Sequence, residues 1–413
     1  MIVVGGGVSG LAFAKEYGQQ VKVYEKEAVI GGKASSYSIE TPQGKFYFDI
    51  GGHWFHFKDC PEVLNLLQGL EMQAHNRTAY VYIKKQYIPF PIQQNYKLLH
   101  TKEASLVDKI NVELSNLLKE TPKNYAEMLR FSYGDSLYNL FFKPYNEKMF
   151  GIENLSSLQY GNYEKIRNVR LNQNQEGYNG DFIYPSGTQG AKAIPEKLSE
   201  GVNIEYNTEL ISLNLNKKQA VFANEIGEKF KVNFGESVLV STIPLNLLLN
   251  IIEDLPKEIR LMGTTLESSP GLILNLGVKR NKNQMGKSWI YFPDKKLPFY
   301  RVGFYSEVET ALAPQGFNSM YVEVSPYFIK NDCTKVVIDA LKKIGLIDED
   351  PVVVSQKSLK ENYCLTNENT IKILEFLRQY NIHSIGRYGA WRWSSQHEDI
   401  MSGWKLANQL KEE

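Results

Sequence analysis

Met1-Ile2-Val3-Val4-Gly5-Gly6-Gly7-Val8-Ser9-Gly10 is the stretch that decides the fold. A short β-branched run leads into the spacing Gly5-x-Gly7-x-x-Gly10, and the helix-like LAFAKEYG follows. Each glycine has its own reason to be there. Gly5 permits a tight turn out of the strand, Gly7 lets the backbone approach a pyrophosphate, and Gly10 lets the helix pack on the strand. The helix start at Val8 and Ser9 offers unpaired N–H groups and a partial positive charge to phosphates. A second strand-like run, VKVYEKE, ends on Glu25, twenty residues after Gly5, with Lys26 beside it. A carboxylate there can accept both hydroxyls of a ribose. The plainer reading is an ordinary glycine turn. The strand–turn–helix–strand context with the acid in place predicts dinucleotide binding instead.

The residues that follow choose among dinucleotides. Gly31-Gly32-Lys33-Ala34-Ser35 comes six residues after Glu25, and Phe48-Asp49-Ile50-Gly51-Gly52-His53 comes after that. This arrangement resembles the extended fingerprint of the FAD-binding family that includes amine oxidases and protoporphyrinogen oxidases. The resemblance implies FAD as cofactor. It also implies that Gly32, Lys33 and Ser35 lie along its pyrophosphate and ribityl chain, with Gly51, Gly52 and His53 beside the flavin ring. A simple turn after a strand is the bland alternative for Gly51-Gly52.

Bulk properties bound the rest. At 413 residues the chain is too long for one simple core, so two or three domains are expected. Its 47 basic and 46 acidic side chains leave a net charge of +1, with no basic stripe, which argues against a nucleic-acid partner. The three cysteines, Cys60, Cys333 and Cys364, are far apart and odd in number. They argue against a disulfide framework and fit a reducing cytoplasm. No Cys/His cluster has metal-ligand spacing, so no metal is expected. The glycine loop at residue 5 leaves no room for a signal peptide ahead of it, and no apolar run reaches membrane-spanning length. The expected location is the cytoplasm.

The expected fold class is α/β: a discontinuous Rossmann-like FAD-binding domain with a helical insert and an antiparallel β-sheet substrate domain. Residues 1–75, 185–265 and 380–413 are assigned to the FAD domain. Its later strands are read in VNIEY, ISLNLNKKQAVFAN, KFKVNF, SVLVSTIP and IHSIGRYG. Helical periodicity in ASLVDKINVELSNLLKE and NYAEMLRFSYGDSLYNLFF places a helical insert over 96–175. Residues 76–95 and 266–379, with GLILNLGVKR, KSWIYFP, FYRVGFY and SMYVEVSPYF, are assigned to the sheet over the cofactor. NVRLNQNQEGYNG is read as a loop, and the last helix is expected to begin near Asp399.

Four further stretches narrow the family. They are Phe142-Lys143-Pro144-Tyr145-Asn146-Glu147-Lys148, Tyr184-Pro185-Ser186-Gly187-Thr188-Gln189-Gly190, Tyr291-Phe292-Pro293 with Pro298-Phe299-Tyr300-Arg301, and Gly386-Arg387-Tyr388-Gly389-Ala390-Trp391-Arg392. In this order, behind the N-terminal fingerprint, they resemble the UDP-galactopyranose mutases, in particular the eukaryotic-type branch. The resemblance implies an isomerase that interconverts pyranose and furanose forms of a nucleotide hexose with no net electron transfer. Reduced FAD acts there through N5 as nucleophile on the anomeric carbon, the diphosphate leaves and later returns, and the product serves cell-surface polysaccharide synthesis. It assigns His53, Arg301 and Arg387 as catalytic and Lys143, Tyr291, Arg301, Tyr363, Arg387 and Trp393 as substrate-binding. Gly386 and Arg387 join the cofactor contacts.

Arginine's planar donors suit a diphosphate on which negative charge grows. Lys143 stands where the branch usually has arginine, keeping the charge and losing the bidentate geometry. Trp393 replaces a tyrosine of the family pattern, which implies either a reshaped pocket that prefers another nucleotide hexose or a neutral aromatic exchange. The expected partners are a nucleotide sugar and a reductant such as NAD(P)H, and the sequence leaves the oligomeric state open, with a homodimer as one option. Two other readings remain open on the sequence. One is an FAD-dependent oxidoreductase of the amine oxidase type, and the other is a non-catalytic flavin-binding protein.

Overall fold

The computed structural model describes residues 1–56, 60–99, 103–117, 120–159, 180–329, 332–365 and 367–412. The Asn/Gln-rich segment expected as a loop, 168–180, lies outside the described residues apart from Gly180.

The chain folds as a mixed α/β protein around a five-stranded parallel sheet. In spatial order its strands are Ile382–Ser384, Leu239–Ser241, Ile2–Val4, Lys22–Tyr24 and Asn203–Glu205. All four pairings are parallel, with Ile2 opposite both Leu239 and Lys22. A parallel sheet needs cover on both faces, and the central strand IVV is buried on both. One face carries the helices Val8–Tyr17 and Gln396–Glu412, with Val3, Phe13, Val23, Val240, Leu406 and Ala407 sharing a core. The other face lies against the antiparallel strands Thr208–Asn214, Gln219–Asn224 and Lys229–Asn233, where Ile2, Val4 and Tyr24 meet Leu210, Leu213 and Phe222.

A seven-stranded sheet forms the second layer system, in the order 353–365, 267–279, 317–324, 299–304, 289–291, 79–83, 86–89. The expected antiparallel sheet is found with one difference: Trp289–Tyr291 pairs parallel to Ala79–Ile83. That pairing joins a strand before the helices to one after them in sequence.

The helices Ala104–Ser115, Tyr125–Leu137 and Lys143–Phe150, with short turns around them, make the insert. Asn124 caps the middle one by accepting from the Glu127 N–H at 2.9 Å, and Glu127 returns the bond to the Lys123 N–H at 2.8 Å. The insert has its own core in Tyr125, Leu129, Leu137, Phe141 and Phe142, and this core also takes in Tyr300 and Tyr363 from the sheet. The helical insert and the sheet therefore meet over the residues that line the site. The last helix begins at Gln396, three residues before the expected start. Cys60, Cys333 and Cys364 are buried and not joined in disulfides. No helix among the described residues is long and apolar enough to cross a membrane.

Candidate active site

The glycine loop divides its work as its spacing predicts. Gly5 has φ +98° and lies so close to Thr242 that a Cβ would strike the Thr242 Oγ1. A Cβ on Gly10 would strike the Gly5 carbonyl and stand 2.9 Å from Val3 Cγ1, so this glycine seats the helix on the strand. Gly7 differs: a Cβ there would meet nothing within 4 Å. It is also the N-cap of the helix Val8–Tyr17, and no side chain caps that end. Ser9, in the first turn, is buried. The first N–H groups of the helix thus face open space, the arrangement an anionic diphosphate fits.

Glu25 is buried at the end of the second strand. Its Oε2 accepts from the Gly6 N–H at 2.6 Å and its Oε1 from the Glu27 N–H at 2.9 Å. Burial raises its pKa, and these two N–H bonds oppose the rise. Each oxygen keeps a lone pair for a ribose hydroxyl. Lys26 points to solvent, its side chain 59% exposed beside Glu27. The Gly31 N–H donates to the Gly6 carbonyl at 2.8 Å, tying the second glycine pair to the first loop. Gly32, at φ +54°, again faces open space, and Ser35 Oγ donates to its carbonyl at 2.8 Å. Lys33 donates to the Glu361 carbonyl and stands 3.4 Å over the Tyr388 ring. Burial, aided by Arg387, pushes its pKa down to about 7. A diphosphate alongside would restore the charged form. The residues present therefore fit an FAD adenosine diphosphate.

The loop after Asp49 leads from this cradle to a second cluster. Tyr305 donates to the Asp49 carbonyl at 2.9 Å and takes the Gly51 N–H at 3.2 Å, which fixes the turn at Gly51, φ +87°. A Cβ on Gly52 would strike the Tyr321 hydroxyl. His53 Nδ1 lies 3.1 Å from the Gly51 carbonyl, an arrangement that makes Nδ1 the donor and leaves Nε2 with its lone pair. Burial lowers the His53 pKa against the pull of Asp49, and the positive charges of Arg387 and Arg301 lower it further. The imidazole is neutral at pH 7.

Arg301 and Arg387 are both at this site but are held differently. Arg301 makes a two-point ion pair with Glu323, Nε to Oε2 and Nη2 to Oε1 both at 2.6 Å, with side chains 17% and 8% exposed. Its Nη1 and the second N–H of Nη2 remain for a ligand. Arg387 follows Gly386, whose φ of +76° brings it against Ser9. Its bonds to the Ser394 and Asn362 carbonyls are long, 3.5 and 3.4 Å, and its Nε is buried without a bonding partner. Among the described residues no carboxylate pairs with it. Arg387 is therefore the arginine of the site with no direct ion pair among the described residues, although Asp399 acts on it at longer range, and its guanidinium lies 5.1 Å from the Tyr363 ring.

Aromatic rings wall the space. Tyr363 meets Trp393 at 5.8 Å and Phe150 at 5.9 Å, and Tyr145 meets Tyr291 at 5.3 Å. Tyr291 stands directly opposite Arg301 across the hairpin. His53, Arg301, Arg387, Tyr291, Tyr363 and Trp393 thus belong to one cluster. Lys143 does not join them. Its Nζ pairs at 2.8 Å with Glu147, one helical turn on, and its side chain is 42% exposed. Tyr145, two residues later on the same helix, faces the cluster instead, because two residues turn a helix by about 200°. Sequence reading gave no role to Tyr145, Tyr300, Asn362 or Glu323. Glu323 did leave a signal: a lone carboxylate inside the apolar run SMYVEV.

Comparisons with known proteins place the chain in a family and a fold. The family described as "Flavin containing amine oxidoreductase" matches residues 8–281, well over half of the chain. A Klebsiella pneumoniae protein named "Probable UDP-galactopyranose mutase" is 28% identical over 195 residues. That match covers 44% of this chain and 48% of the relative, so it spans about half the relative's length. A crystal structure of reduced UDP-galactopyranose mutase superposes with a TM-score of 0.85 at 21% identity, over 100% of this chain and 95% of that one. A double mutant of putrescine oxidase superposes with a TM-score of 0.67 at 13% identity, over 100% and 98%. These two likenesses establish a shared fold.

Proposed function

This chain belongs to the flavin-containing amine oxidoreductase family, its cofactor is FAD, and on that premise we propose that it is a sugar-nucleotide mutase. The substrate class is a nucleoside-diphosphate hexose, and the reaction exchanges its pyranose and furanose forms. The observation that carries the reading is the Arg387 guanidinium, in no direct ion pair among the described residues, set with Arg301 and a ring of tyrosines beside the Gly51–His53 loop. An apolar amine pocket has no use for such a charge, whereas a leaving diphosphate needs one.

When bound, reduced FAD supplies the nucleophile for the anomeric carbon. The protein's part is to bind, orient and neutralise. Arg387 takes the diphosphate through its unfilled Nε and weakly bonded Nη groups. Arg301 adds contacts from its remaining Nη N–H groups, their direction fixed by Glu323. Tyr291, Tyr363 and Tyr145 are placed to donate phenolic hydrogen bonds to the phosphate oxygens, and Trp393 closes one wall. Neutral His53 presents Nε2 as an acceptor at the flavin edge. Gly7, Val8, Ser9, Gly10, Glu25, Gly32, Lys33 and Ser35 hold the adenosine diphosphate and ribityl parts. Lys143 is left out of the substrate contacts because its ammonium is engaged by Glu147.

The test is to incubate the dithionite-reduced protein anaerobically with UDP-, dTDP- and GDP-hexoses and analyse the products for ring contraction. Turnover without consumption of reductant, lost on replacing FAD by 5-deazaFAD, is the expected result. A second reading rests on one observation: buried Glu323 among tyrosines is chemistry that also suits an amine. Oxygen-dependent oxidation of an amine with no mutase turnover would favour that reading.

A further inference from the structure

Lys148 is 1% exposed and lies on the helix Lys143–Phe150, one residue past Glu147. Its ammonium donates three hydrogen bonds, all to backbone carbonyls: Phe292 at 2.8 Å, Asp294 at 2.7 Å and Phe299 at 2.6 Å. An ammonium has three donors, so its capacity is used in full. All three acceptors belong to one hairpin, formed by the strands Trp289–Tyr291 and Phe299–Phe304. Phe292 follows Tyr291 directly, and Phe299 precedes Arg301 by two residues. Tyr291 and Arg301 themselves are cross-strand partners. The lysine therefore grips the hairpin on both arms, next to the two side chains it delivers to the site.

Other contacts run the same way. Lys295 at the hairpin tip reaches back to Glu147, Nζ to Oε2 at 2.5 Å. Ser325 Oγ donates to the Lys148 carbonyl at 2.9 Å, fastening the helix to the end of the strand that carries Glu323, the partner of Arg301. Tyr145, one turn before Lys148, meets the rings of Tyr291 and Tyr300, at 5.3 and 6.2 Å. Burial is costly to this ammonium and pushes its pKa down to about 7, with Asp294 opposing. A methionine would fill similar volume without that cost. What the ammonium adds is direction: three fixed bonds that hold two strands at a set distance from one helix.

We propose that Lys148 is a positioning residue, which fixes the Tyr291–Arg301 hairpin and thereby sets the affinity for a nucleoside diphosphate that it does not touch. The proposal rests on the mutase reading, in which Tyr291 and Arg301 contact the diphosphate. Its experiment separates the two. FAD-loaded wild type, Lys148→Met and Lys148→Gln are titrated with UDP by calorimetry, and FAD occupancy and Tm are recorded for each. Leu213→Ala, a cavity in the core beneath the three-stranded sheet, serves as the destabilised control.

Lys148→Met is expected to weaken UDP binding about 10- to 100-fold while FAD occupancy is kept, the scale of losing charged hydrogen bonds. Lys148→Gln, with two donors, should fall between it and wild type. Leu213→Ala should lower Tm without moving UDP affinity. Wild-type affinity in Lys148→Met, or an equal loss in Leu213→Ala, would overturn the positioning role alone. If Lys148→Met does not fold, wild-type affinity in Lys148→Gln overturns it. Where wild type binds no UDP, the same titrations are run with dTDP and GDP, and wild type that binds none of the three would overturn the mutase reading, and this inference with it.

Discussion

Gly7 and Gly10 are the same residue in one motif, yet the structure asks opposite things of them. A side chain at Gly10 would collide with the protein, whereas one at Gly7 would project into empty space. Gly7→Val should therefore leave the fold intact and remove the flavin, because the new side chain takes the pyrophosphate's place. The check is the ratio of flavin to protein absorbance beside an unchanged far-UV CD spectrum; a yellow variant would refute it. The two arginines diverge in the same manner. Arg387→Ala removes an unpaired charge, so nucleotide binding and turnover should fall about 30- to 1000-fold, worth roughly 2–4 kcal/mol, with stability little changed. Arg301→Ala should instead also destabilise the fold, because it strands the buried Glu323 carboxylate. Thermal melts run beside the kinetics will separate the two, and equal Tm values in both variants would contradict it.

At the scale of elements, the approach of the first helix to the last decides whether the cradle exists. Gly403 sits mid-helix in Gln396–Glu412, and a Cβ there would strike the Ser9 carbonyl and stand 2.9 Å from the Phe13 N–H. Both are backbone atoms and neither can rotate away. The last helix thus presses on the first turn of the helix whose N–H groups await the phosphates. Gly403→Val should force the two helices apart, cost about 1–3 kcal/mol in stability and weaken FAD binding although it touches no ligand. Tm measured with and without added FAD will show it. A variant with normal Tm and normal FAD affinity would mean that the helices have slack. The same logic explains Lys143. Its place in the motif suggested a substrate contact, but the helix phase turns it to Glu147 and gives the site Tyr145.

At the scale of the molecule, the parallel sheet draws its strands from residues 2–4, 22–24, 203–205, 239–241 and 382–384, so it is complete only when nearly the whole chain is present. A chain cut after residue 379 loses an edge strand, Arg387 and the last helix together. It should accumulate as colourless, insoluble protein, and soluble flavin-bearing material would contradict this. The sequence by itself determined the nucleotide cradle, because Gly5, Gly7, Gly10 and Glu25 act through local turns and a helix start that neighbours in the chain define. It also marked the strands and helices through their periodicity, and FAD through two further glycine pairs. The tertiary structure alone decided which charges are free. Arg301 and Glu323 are 22 residues apart and meet only through strand pairing, whereas Arg387 has no direct ion pair among the described residues. Lys148 was equally silent in the sequence, since its partners are backbone carbonyls about 150 residues away, which no side-chain pattern encodes. Spacing along a chain specifies local geometry, but the charge left over at a site is set by what the fold brings alongside it.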